Sequence, residues 1–175
     1  MSLSTRTRAI LLSGALLLGG TIAVTQPAGA TNIGNEGCTP GYWKNHTSNW
    51  EEYGPNTKLG SVFVIPSGLT ATANTTMLEA LNFGGGRGFD GASQILLRAA
   101  TAAVLNAAHE GVGYPYRRDV EPGKIISRVN AALASGNRAA ALDLAAELDG
   151  LNNLGCPLGN ETTTTTTPVD PIPDN

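Results

Sequence analysis

Cysteine occurs only at Cys38 and Cys156, and between these two positions lie nearly all the residues able to form a core. In an oxidising compartment an even cysteine count points to disulfides, and two cysteines allow one intramolecular pairing. Closing so long a loop stabilises a fold by roughly 4–5 kcal/mol in the chain-entropy model. The rival use of the thiols, metal binding, normally asks for four ligands at short spacing such as C-x2-C, a pattern not present here. The expected organisation is a lead at residues 31–37, one domain at 38–158 stapled by Cys38–Cys156, and a tail at 159–175.

The compartment itself is read from residues 1–30. Arg6 and Arg8 precede an apolar stretch over residues 9–24, and Ala28-Gly29-Ala30 supplies the small-x-small pattern of a signal-peptidase site. The apolar run is shorter than the roughly 20 residues a spanning helix needs. Cleavage before Thr31 leaves a secreted or cell-surface chain with nine basic residues against fourteen acidic, so the charge moves from −3 to −5. A phosphate backbone needs clustered Lys and Arg. The pair Arg117-Arg118 is followed by Asp119 and Glu121, so nucleic acid is not an expected partner. No later segment is long and apolar enough to span a membrane. The tail holds six consecutive threonines and three prolines, a low-complexity composition expected to stay disordered.

Hydropathy patterning places mainly helices in the domain. Pro40-Gly41 marks a turn, and residues 42–52 are expected to form a short helix carrying Trp43 and Trp50 on one face, seven positions apart. Residues 61–65, Ser-Val-Phe-Val-Ile, form the one strand-like run, with 69–72 as its possible partner. A short helix through Asn82 follows, capped by Thr75 or Thr76 with Glu79 at the capping-box position. The longest helix, residues 92–109, is apolar nearly all round, which predicts a buried central rod with Asp90 as N-cap. Pro122 is placed near the first turn of the next helix, which carries Ile125, Ile126, Val129 and Leu133 on one stripe. Residues 135–137 turn into a last helix over 137–149, with Leu142, Ala145 and Leu148 inward and Gly150 as its stop, making an αα-hairpin. The fold class is thus mainly α: a disulfide-stapled helical bundle with a buried central helix, a C-terminal αα-hairpin and at most a short strand pair.

Gly86 to Gly91 matches G-x-G-x-x-G, but a dinucleotide fold also requires a preceding strand. A tight loop against the central helix is the better reading, and no cofactor is expected. Four of the nine aromatics crowd one segment: Tyr42, Trp43, Trp50 and Tyr53. Exposed, they suit stacking on sugar rings; buried, they pack on the disulfide and central helix. Burial is expected for Trp43, with Trp50 left open. The only histidines, His46 and His109, are weak metal or general-base candidates, with Glu110 the nearest carboxylate to His109, and a catalytic zinc would need a third ligand.

The run Cys38-Thr39-Pro40-Gly41-Tyr42-Trp43-Lys44-Asn45-His46 resembles a segment, C-T-P-G-(Y or F)-W-K-N-H, shared by a family of small exported, mostly bacterial proteins. Leu96-Leu97-Arg98-Ala99, Leu105-Asn106-Ala107-Ala108-His109 and the stretch from Leu148 to Cys156-Pro157 resemble that family's other segments. The resemblance covers about residues 38–158. It implies the domain limits and the disulfide, and no mechanism.

With no catalytic motif, these features favour a non-enzymatic exported protein of a surface or matrix that binds a glycan, an envelope component or a protein. One alternative is a small exported hydrolase or metal-binding protein centred on His46 and His109. Another is a component of a structural layer or filament.

Overall fold

The computed structural model describes residues 34–119 and 123–159. Residues 1–30, Pro122 and the threonine-rich run lie outside them. Five α-helices follow in order: α1 (Pro40–Asn45), α2 (Met77–Ala80), α3 (Gly88–Ala108), α4 (Ile125–Ala134) and α5 (Arg138–Asn152). Among the described residues there is no sheet, and no helix is long and apolar enough to cross a membrane. The disulfide-stapled helical bundle expected from sequence is the architecture found.

The central rod is α3, which packs on all four other helices and most extensively on α5. Leu96, Leu97, Val104 and Leu105 are buried on it, with Ala99, Ala100, Ala102 and Ala103 between them. Alanine's small side chain lets neighbouring backbones approach on several sides, which is why a helix this poor in bulk can serve as the centre. α4 and α5 form the expected hairpin across Gly136, whose φ of +61° suits a residue without a Cβ. Asn137 caps α5, its Oδ1 accepting from the N–H groups of Ala139 and Ala140.

Arg128 on α4 and Glu147 on α5 clamp the hairpin through two hydrogen bonds, and Tyr116 Oη donates to the same carboxylate at 2.8 Å. The Arg128 bond holds the Glu147 carboxyl below the usual glutamate range. A depressed pKa contributes stability that is present above the unfolded-state value and lost as pH falls through the folded one. Both side chains are about a third exposed, so the contribution is only about 1 kcal/mol. Glu147→Gln is expected to flatten part of the stability loss that sets in as pH falls through and below the ordinary glutamate range, read by urea unfolding. An unchanged acid slope would refute this.

Several local expectations are corrected. Residues 61–65 are not a strand. The N–H groups of Val62 and Phe63 both donate to Leu59 O, and Val64 N donates to Asn130 Oδ1 of α4. Extended pairing occurs a few residues earlier, at a single antiparallel bridge between Lys58 and Thr76. Asp90 does not cap α3. The cap is Arg87, and Asp90 sits in the first turn, its carboxylate accepting from Thr70 N and Thr70 Oγ1. These bonds hold its pKa below the ordinary aspartate value, the Thr70 backbone bond contributing most. α5 runs past Gly150 to Asn152, whose side chain is anchored in the core. Leu142 is half-buried, and Leu144 takes the inward place instead.

The capping box is as expected, with Thr76 and Glu79 bonded reciprocally. The glycine loop is structural. A methyl at Gly91, in the first turn of α3, would overlap the Gly86 backbone, so the loop lies flat on the helix only because that position is glycine.

The disulfide joins Cys38 and Cys156, whose Cα atoms are 4.4 Å apart across a sequence separation of 118. Beside it, Gly37 N donates to Gly155 O at 3.0 Å, and Glu36 pairs with Gly113 through both backbone and carboxylate. Behind the disulfide lies a buried polar network. Asn106 Oδ1 accepts from Cys38 N (2.8 Å) and Trp43 Nε1 (3.0 Å), while its Nδ2 donates to Cys38 O and Asn152 Oδ1 (both 2.9 Å). Asn152 Oδ1 also accepts from Tyr114 Oη, and Asn152 Nδ2 donates to Ala99 O. Burial pushes the Tyr114 pKa upward, so its hydroxyl remains a donor. Every polar atom of both amides that faces the network is satisfied, which a buried polar cluster needs to be an asset. By contrast, Thr101 Oγ1 is buried on α3 without a partner.

Candidate functional site

The expected helix at 42–52 is two pieces. Pro40 fits the first helical turn and Thr39 caps it, but α1 ends at Asn45 and a 3-10 turn (Thr47–Asn49) follows. The break falls at His46, whose Nδ1 lies 2.9 Å from Tyr42 O and draws that carbonyl toward the side chain. Trp43 and Trp50 therefore do not share one helix face. Trp50 folds back instead, its Nε1 donating to Trp43 O at 2.9 Å and satisfying a C-terminal carbonyl of α1.

This folding separates the four aromatics. Trp43 is fully buried, as expected, with its indole N–H on Asn106. Tyr42 meets Trp43 edge-on, stacks on His46 at 4.2 Å, and accepts from Asn49 Nδ2. Tyr53 lies under Arg118, 5.8 Å from ring centroid to guanidinium carbon, and burial raises its pKa. Trp50 alone of the four lines a cleft of about 490 Å³.

Three segments build that cleft: Ser48, Asn49, Trp50 and Glu51 from the turn after α1, His109 from the end of α3, and Pro157 and Leu158 from the turn after Cys156. The disulfide thus anchors one wall. His109 caps α3, and its ring sits 5.8 Å from that of Trp43. Gly111 N–H donates to its Nδ1 at 2.9 Å, which places the ring proton on Nε2; that nitrogen faces Glu51 Oε1 at 3.5 Å. A methyl on Gly111 would press within 3.2 Å of the His109 ring and Leu158, so a side chain there would have to push one of them aside. Glu51 Oε2 accepts from Glu110 N–H at 2.7 Å.

The carboxylate beside His109 is therefore Glu51, not Glu110, which contributes only its backbone. Glu51 is held by a tight turn in which Tyr53 N donates to Glu51 O, with Glu52 at φ +61° between them. A left-handed non-glycine residue costs about 1 kcal/mol. The Glu52 carboxylate forms an ion pair with Arg118, which fixes the turn from its other side.

The two histidines do not converge. His46 is exposed and engaged with Tyr42, whereas His109 is engaged with Trp43, Glu51 and Gly111. Among the described residues no group of three or more His, Cys, Asp or Glu side chains is placed to hold a metal ion. Sequence reasoning missed Glu51, Ser48, Asn49, Pro157 and Leu158. The only local signal was a carboxylate next to Trp50. Compared with protein-family models, curated proteins and solved structures, the chain matches none.

Proposed function

We propose that this is an exported, non-enzymatic binding protein whose cleft beside Trp50 takes a saccharide. The observation that carries the reading is the state of Trp50. Its indole N–H is committed to Trp43 O, so what it offers the cleft is its ring, flanked by the amide of Asn49 and the hydroxyl of Ser48. An apolar ring beside a few polar groups matches the alternating C–H and hydroxyl surfaces of a pyranose. The cleft volume falls in the range of small-molecule sites. Residues 1–30 and the disulfide support export.

Both ring nitrogens of His109 face partners, and the Ser48 hydroxyl is directed to Asn49 Oδ1, which supports binding over hydrolysis. The Glu51–His109 contact favours a hydrolase as the second reading, and that reading predicts turnover of whatever saccharide binds. A glycan array probed with the secreted protein tests the first. Trp50→Ala is expected to weaken binding by about tenfold or more. Equal binding by the variant would remove the site, and released product would favour the hydrolase.

A further inference from the structure

Resting on that saccharide reading, we propose that the cleft selects a sugar carrying a protonated amino group over its N-acetylated counterpart. Trp50 and Glu51 both line the cleft, and no lysine or arginine joins them there. His109 accepts from Gly111 N–H at Nδ1, and its other ring nitrogen is the one turned toward Glu51. Glu51 is the one carboxylate in the lining.

That carboxylate is only partly spent. One oxygen accepts Glu110 N–H; the other faces His109 Nε2 at 3.5 Å, longer than a good charge-assisted bond, and the side chain is 40% exposed. Arg118 is paired with Glu52 and lies over the Tyr53 ring, and it is absent from the cleft lining. An ammonium between an indole ring and a carboxylate gains from both the ring quadrupole and the charge. A carboxylated or phosphorylated sugar would instead bring like charge against Glu51 with no lysine or arginine in the lining to offset it. Acetylation of the amine removes the charge while leaving the pyranose ring for Trp50, so it separates the two contributions.

The test is calorimetric titration of the full chain with a glucosamine tetrasaccharide and with its fully N-acetylated form, in a buffer acidic enough to protonate the amine. The amino form is expected to bind about tenfold tighter, a preference that shrinks as salt is raised. Glu51→Gln is expected to cut that preference to under about twofold. Should the variant fold poorly, the salt dependence of the unaltered protein carries the same information. Equal binding of the two forms, or tighter binding of the acetylated one, overturns the charge selection and leaves the saccharide reading standing. Binding of neither overturns both, and a preference that survives Glu51→Gln overturns the role given to Glu51.

Discussion

Asn106→Leu is expected to lower the free energy of unfolding by about 4 kcal/mol, from the sum of three orphaned buried groups at 1–3 kcal/mol each. The residue is wholly buried, and its amide is the sole side-chain partner shared by Cys38, Trp43 and Asn152. Leucine matches its volume closely enough to avoid a large cavity, so the loss isolates the hydrogen bonds. Cys38 N, Cys38 O and the Trp43 indole would each be stranded away from water. Domains of this size have only about 5–15 kcal/mol in total, so the variant should sit near the edge of folding. Urea unfolding monitored by tryptophan fluorescence reads the loss directly, because Trp43 reports on the same network. A shift below about 1 kcal/mol would show that the network is replaceable.

Removing the disulfide is the second large effect. The Cys38→Ala, Cys156→Ala double variant is expected to lose about 4–5 kcal/mol through the freed unfolded chain. It should also loosen Pro157 and Leu158, so ligand affinity at the Trp50 cleft ought to fall even under conditions where the helices persist. Stability matching that of the unaltered protein in urea titration would count against the cross-link as a source of stability. Combined with Asn106→Leu, the losses should not add, since Asn106 holds the backbone of Cys38 and the two changes loosen the same end of the chain.

What the sequence disclosed, it disclosed through periodicity and strong local chemistry. The alanine-rich stretch of α3 has no polar face, so a central position follows from hydropathy alone. The Thr76–Glu79 capping box and the Gly136 turn are contacts within a few residues, and both formed as expected. The failures share a cause: a partner that hydropathy patterning does not register decided the outcome. Residues 61–65 have the composition of a strand, but a strand needs a ladder, and Leu59 O and Asn130 took their N–H groups instead. Phe63 is buried while Val64 stands 69% exposed. Asp90 looked like a cap, yet Thr70 from a preceding loop claimed its carboxylate. The site was the least legible part. Nothing near Glu51 signals that it will meet His109, since that meeting depends on where α3 ends and on how Glu52 bends the chain.

The adjacent positions of Cys38 and Cys156 have a mechanical consequence. A pull applied through the segments outside them travels across the sulfur bond and the neighbouring Gly37–Gly155 backbone pair, and the helices between carry none of the tension. Anchored by one end and grasped by the other, the domain transmits force as a nearly inextensible link. The helical core enclosed by the bridge would keep its shape under a load that unravels a bundle strung end to end.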